Sequence, residues 1–230
     1  MTSHLISLTF DDGFAKSAQM LAKIHGEFGL KASLNVIARG ADPAFPAPDE
    51  WHNAPRGSWE LWNELSSQGH EINPHGYDHS DPNKLPPEEN ARRIDECIRI
   101  FQRSLKGFNP SQAVYACPYN ATNPELESKL ASSFRTYRAG GNPVNPLPST
   151  NTKRINCWSD GPGNADASTE ALINRFLDSP GGWLVPAMHG LDEEGWGPLS
   201  SGFLRRLLEK LSKDGRVEVM GPRMALGRIS

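Results

Sequence analysis

Strand-like and helix-like segments alternate along the whole 230-residue chain, without a break in composition. This alternation constrains the fold most, because strand–helix repeats build parallel sheets with helical crossovers. Residues 4–10 read as a strand, with Leu5, Ile6 and Leu8 in a β-favouring run. Residues 16–28 read as a helix, with Leu21, Ile24 and Phe28 on one face and Gly29 as the stop. The clearest helix is 88–106, where Ile94, Ile98, Phe101 and Leu105 form a stripe between Pro86-Pro87 and Gly107. Shorter helices follow at 59–68, 125–132, 169–177 and 203–213. Strands fall at 32–37, 70–73, 113–117, 134–137, 154–158, 183–188 and 217–220, and residues 40–57 and 140–151 read as loops. The pattern predicts an α/β fold: a single-domain distorted (β/α) barrel with seven or eight parallel strands over residues 1–230. An open doubly wound sheet is the alternative. No GxGxxG follows the first strand, so its dinucleotide-binding form is unsupported.

Several function classes are disfavoured. A formal net charge of -3 offers no basic excess for a phosphate backbone, so no nucleic-acid partner is expected. No apolar run approaches the roughly 20 residues of a membrane span, so no membrane partner is expected. Cys97, Cys117 and Cys157 are odd in number and contain no CxxC, which indicates neither a disulfide framework nor a cysteine zinc site. The first apolar run, 5–10, is too short for a signal peptide. As it stands the chain reads as cytoplasmic, or as secreted if a leader has been removed. Oligomeric state is not legible.

Barrel enzymes carry their chemistry just past the C-terminal ends of the strands. Here those positions hold Asp11 and Asp12, then His75 and His79, then Pro118 and Tyr119, and finally His189. His75 and His79 are four apart, so a helical turn between them would aim both imidazoles the same way. Two imidazoles, one carboxylate and an open position make a catalytic zinc site. Asp11 or Asp12 is the natural third ligand, leaving the other as a base. His70 reads as a hydrogen-bonded histidine at a strand start, while His4, His25 and His52 lie outside the pattern. Trp59 and Trp62 read as core. Trp51, Trp158 and Trp196 lie in or beside rim loops, where stacking on a sugar and core burial are equally open.

These residues resemble the polysaccharide deacetylase family (NodB-homology domain, carbohydrate esterase family 4). Thr9-Phe10-Asp11-Asp12-Gly13 is similar to its first motif. His75-Gly76-Tyr77-Asp78-His79 is similar to its second, with Gly76 where Ser or Thr is usual. Pro118-Tyr119 is similar to the core of the third, and the segment from Leu184 to His189 to the last. The resemblance implies that Asp12, His75 and His79 hold one divalent metal ion. It also implies Asp11 as general base, His189 as general acid, and the Tyr119 backbone N–H as an oxyanion donor.

Three departures stand out. Ala116 occupies the place of the third-motif arginine that positions the base, and Arg138, at the end of the next strand, is the expected substitute. Asn120 replaces a glycine. The aspartate that pairs with the acid histidine is not recognisable, so Asp160 and Asp166 are the candidates, with Asp160 nearer the strand end.

The expected activity is a metal-dependent hydrolase that removes acetyl groups from an N-acetylated sugar or polysaccharide. The metal activates water and polarises the carbonyl, and an imidazole titrates in the range needed to protonate a departing amine. Zn2+ suits the ligands best; Co2+, Ni2+ and Mn2+ fit the same set. An O-acetyl carbohydrate esterase, a small cyclic-amide hydrolase and a non-catalytic carbohydrate-binding domain are the alternatives. Asp192, Glu193 and Glu194, just past His189, read as a solvated loop or as contacts for a cationic or hydroxylated substrate.

Overall fold

The computed structural model describes residues 4–45 and 54–229, so Trp51 and His52 lie outside the described residues. In chain order the strands are β1 (His4–Ile6), β2 (Thr9–Phe10), β3 (Ser33–Val36), β4 (Glu71–Pro74), β5 (Val114–Ala116), β6 (Thr136–Gly140), β7 (Val144–Asn145), β8 (Arg154–Cys157), β9 (Gly182–Leu184), β10 (Ala187–Met188) and β11 (Val217–Val219). The helices are α1 (Ala15–Glu27), α2 (Trp59–Ser67), α3 (Pro87–Ser104), α4 (Pro124–Ser133), α5 (Ala165–Leu177), α6 (Ser201–Lys213) and α7 (Pro222–Gly227).

The architecture is a distorted (β/α) barrel. Parallel ladders run β11-β1-β9, β10-β2-β3-β4 and β5-β6-β8. A parallel bridge between Trp158 and Pro186 carries β8 on to β10. Between β4 and β5 the Asn73 side chain stands in for a ladder, its Oδ1 accepting from Val114 N at 3.4 Å. β7 runs antiparallel to β9. Two apolar layers result. Helix faces such as Ile94, Cys97 and Phe101 of α3, and Leu204, Leu208 and Leu211 of α6, pack on the outer strand face. Each such side chain stabilises by about 1.5–3 kcal/mol on burial. Leu5, Val114, Ile155 and Trp183 form a second cluster with Met220, and with Ala225 and Leu226 of α7.

Two expected strands are each interrupted. Residues 4–10 break at Ser7-Leu8, where Ser7 Oγ donates to Met220 O at 2.7 Å and accepts from Trp183 Nε1 at 2.8 Å. Residues 183–188 break at Val185-Pro186, because proline has no N–H for the ladder. The freed Pro186 carbonyl accepts from Thr9 N and Thr9 Oγ1. β6 starts and ends later than expected, which makes Arg138 an interior strand residue rather than a terminal one. The loop read over 140–151 contains β7, too short to show alternation. α7 is likewise too short to show a helical period.

Candidate active site and metal centre

The polar residues of β3 and β4 alternate: Ser33 and Asn35 on one strand, Glu71 and Asn73 on the next, then His75. Successive side chains of a strand face opposite ways, so these positions share one face, and all are buried. A polar column results. Glu71, Ser33 and Asn73 hydrogen-bond one another, and Asn35 and His75 lie further along, beside Asp11.

Three tight turns build the rim. After β2, Asp12 and Gly13 adopt φ of 73° and 75°. A Cβ on Gly13 would sit 3.1 Å from both Trp62 and Val36. After β4, Gly76 has φ 77° and a Cβ there would meet Pro118 Cγ at 2.6 Å, which accounts for glycine in the second motif. No helical turn joins His75 to His79, contrary to expectation. Positive φ at Gly76 and at His79 (58°) brings the two rings to 5.0 Å instead. After β5, Tyr119 and Asn120 adopt φ of 56° and 53°, and the Tyr119 ring packs against His79 at 4.6 Å, tilted by 43°.

These turns converge one ligand atom each from Asp12, His75 and His79 to within 4.8 Å of one another, all three residues buried. Asp12 Oδ1 lies 3.6 Å from His75 Nε2 and 3.4 Å from His79 Nε2. His75 Nδ1 donates to the Ala116 carbonyl at 3.0 Å, which leaves Nε2 as the unprotonated, ligating nitrogen. One carboxylate and two imidazoles so arranged fit a divalent cation of zinc-like character.

Asp11 is clasped from both sides. Asn35 Nδ2 donates to Oδ1 at 2.7 Å and Arg138 Nη2 donates to Oδ2 at 2.5 Å. Arg138 Nη1 also donates to Thr9 Oγ1 at 3.0 Å. Arg138 is only 1 % exposed and lies directly opposite Ala116 in the β5–β6 register. The guanidinium therefore stands one strand over from the third-motif position, at the same height. Burial works to raise the Asp11 carboxyl, but the Arg138 guanidinium, charged and hydrogen-bonded to it, with smaller contributions from the neighbouring His75 and His189, outweighs burial and holds the group below its ordinary value. His75 is pushed down, by burial first, against the opposing pull of Asp11 and Asp12.

The sequence profile of polysaccharide deacetylases matches residues 1–135. This chain belongs to the polysaccharide deacetylase family. No curated protein matches it. Among solved structures it is similar to a putative polysaccharide deacetylase from Mycobacterium smegmatis, at 16 % identity and a TM-score of 0.75, covering 99 % of this chain and 90 % of that one. It is also similar to a family 4 acetyl xylan esterase from Clostridium thermocellum in complex with a cobalt ion. There the identity is 18 %, the TM-score 0.64, and the coverage 97 % and 91 %. A family 4 pseudoenzyme from Bacillus anthracis matches at 16 % identity and a TM-score of 0.63, covering 98 % of this chain and 66 % of that one. At such identities the likeness is one of fold.

The remaining rim residues of this deacetylase-family chain divide into those brought together and those not. His189 follows β10, which pairs with β2, and Asp11 N donates to Met188 O at 2.7 Å. The two residues therefore stand side by side, and Trp196 meets the His189 ring edge-on at 5.4 Å. Neither expected carboxylate pairs with His189 among the described residues. Asp160 accepts from Trp158 Nε1 at 3.3 Å, and Asp166 accepts from Ser200 N and Oγ at the start of α6. The acidic trio separates too. Asp192 accepts from Ser201 N and Glu194 is buried against Ser17, so only Glu193 remains a solvated acid without such a bond.

Trp62 is fully buried and Trp59 packs on Phe101, while Trp158 is 55 % exposed. His70 is hydrogen-bonded at its strand start, its Nδ1 accepting from Ala32 N at 3.0 Å. Sequence reasoning missed Asn35, although the Ser33-Leu34-Asn35-Val36 alternation marks it as sharing a face with Ser33. No helix of the described residues is long and apolar enough to cross a membrane.

Proposed function

We propose that residues 1–230 form one catalytic domain, a metal-dependent hydrolase that removes acetyl groups from an N-acetylated sugar or polysaccharide. The observation that carries this reading is the buried convergence of Asp12, His75 and His79 beside an Asp11 clasped by Arg138 and Asn35. A fold shared with a pseudoenzyme does not by itself imply turnover, so the reading rests on this side-chain set.

In this scheme Asp12, His75 and His79 hold the metal, Zn2+ by donor chemistry, with Co2+, Ni2+ and Mn2+ suiting the same donors. When bound, that metal would polarise the acetyl carbonyl and acidify water. Asp11, kept ionised by Arg138, accepts a proton from the attacking water as its oxygen bonds to the carbonyl carbon. The Tyr119 N–H donates to the developing oxyanion. The C–N bond then breaks, His189 delivers its proton to the departing nitrogen, and acetate and a free amine leave. Trp158 and Tyr119, both more than half exposed, offer faces on which a sugar ring can stack.

Acetate release from a panel of N-acetyl and O-acetyl glycans, with and without chelator, tests the activity. Release from N-acetyl substrates that stops with chelator supports the reading. Release from O-acetyl substrates alone replaces it with an esterase. Elemental analysis of His75→Ala and His79→Ala tests the ligand set, and full occupancy in both variants would reject it.

A further inference from the structure

His189 has no orienting carboxylate among the described residues, and its Nδ1 is buried without a hydrogen-bond partner there. Its loop is nevertheless firmly tied. Asp192 N donates to Leu199 O at 2.7 Å, and Leu199 N donates to Gly190 O at 3.2 Å. Gly195, at φ 93°, is so close that a Cβ on it would lie 3.1 Å from His189 Cβ. Trp196 closes the other side edge-on.

The loop is anchored to α1 by a compact network. Leu191 N donates to Ser17 Oγ at 2.9 Å, and Ser17 Oγ donates to Glu194 Oε2 at 2.7 Å. Ser17 N donates to the same oxygen at 2.7 Å. Ser17 is the third residue of α1, so its N–H is one of the donors that a helix start leaves unpaired. Phe14, at the cap position, supplies no side-chain cap, and the first turn of α1 holds no acidic residue. Glu194, 7 % exposed, thus caps this helix from 177 residues away. Space for the network depends on Gly190, where a Cβ would lie 2.0 Å from Glu194 O and 3.0 Å from Ser17 Oγ.

We propose that Ser17 and Glu194 form a latch that positions His189. It ties the loop carrying the imidazole to the first turn of the helix that follows Asp11 and Asp12. Both are positioning residues, and neither moves a proton in the reaction. The inference rests on the proposed role of His189 as the acid.

The test uses the Zn2+-loaded full chain and the variants Ser17→Ala, Glu194→Ala and Glu194→Gln. The last keeps an oxygen that can accept from Ser17. Two substrates are compared: an N-acetylglucosamine tetramer, whose nitrogen must be protonated to leave, and 4-nitrophenyl acetate, whose phenolate need not be. Both alanine variants should lose on the order of 10²-fold in kcat on the amide, with KM little changed. They should keep most of their turnover of the ester, and Glu194→Gln should restore the amide rate. The NMR cross-peaks between the His189 and Trp196 rings should vanish in the alanine variants and persist in Glu194→Gln. Equal losses on both substrates, unchanged amide turnover, or intact cross-peaks in Ser17→Ala and Glu194→Ala would overturn the latch. If His189→Ala itself keeps full amide turnover, the acid assignment fails instead, whatever the cross-peaks show.

Discussion

The two ends of the barrel each bury a carboxylate, under opposite conditions. At the base, Glu71 sits at the start of β4 and is satisfied wholly by protein donors. Met224 N reaches its Oε1 at 2.7 Å, while Arg223 N and Ser33 Oγ each reach its Oε2 at 3.2 Å. At the rim, Asp11 and Asp12 crowd against two histidines and an arginine. The backbone differs in the same sense. Every non-glycine residue with positive φ among the described ones (Asp12, His79, Tyr119, Asn120 and Asp192) follows a strand at the rim. Such conformations persist only where surrounding structure enforces them, and they concentrate at sites of chemistry. The base carboxylate holds the fold together, whereas the rim carboxylates are held by it.

The sharpest way to break this contrast is at the rim. His189→Ala should cost about 10²–10⁴-fold in amide turnover while leaving metal content and thermal stability near the parent values. Steady-state kinetics beside elemental analysis checks this. A large fall in melting temperature would mean that His189 is structural.

Next is Arg138→Met, which strands a buried carboxylate and should cost about 3–5 kcal/mol of stability. Urea denaturation should show the Asp11→Asn/Arg138→Met double variant to be more stable than Arg138→Met alone, because the uncompensated charge is gone. Simple additivity would show that the pair is not coupled.

At the base, Glu71→Ala should destabilise by about 2–4 kcal/mol by leaving buried donors unpaired. Metal binding at the rim should be unaffected. Gly221→Ala should act in the same direction, since a Cβ there would lie 2.2 Å from the Glu71 carboxyl carbon. Loss of metal in either variant would dissolve the distinction between the two ends.

The smallest effect concerns pH. His25, near the end of α1, donates from Nδ1 to Leu21 O at 2.7 Å, and burial pushes its pKa down to about 4. The unfolded chain therefore binds the proton more readily. The stability this imidazole contributes is complete above about pH 6.5 and is lost as pH falls towards about 4. The loss reaches about 2 kcal/mol by about pH 5. Urea midpoints across this range should fall for the parent and flatten for His25→Gln. Parallel curves would assign the acid sensitivity elsewhere.

The sequence disclosed the rim better than the base. Asp11-Asp12-Gly13 and the 75–79 segment are local patterns, and the strand–helix alternation places them at one end. Arg138 was legible because Ala116 left a charge unsupplied. Asn35 and Glu71 were harder. Their side chains share a face only through the period of two on short strands, and their partners lie 24 and about 150 residues away. Asp160 and Asp166 failed as partners for His189 because proximity to a strand end says nothing about competing donors. Trp158 Nε1 and Ser200 had already engaged them. The Ser17–Glu194 contact likewise spans nearly the whole chain and carries no local signature.

The register that sets Arg138 beside Ala116 has a consequence for how such proteins are recognised. Neighbouring parallel strands present their side chains at matching heights, so a guanidinium can change its address in the chain by 22 positions and barely change its address in space. Read in linear order alone, the chain has Ala116 at the third-motif arginine position. A search keyed to what surrounds the first aspartate finds the arginine in place. Sorting active from inactive members by a missing motif letter therefore mistakes spelling for meaning wherever two adjacent strands can supply the same charge.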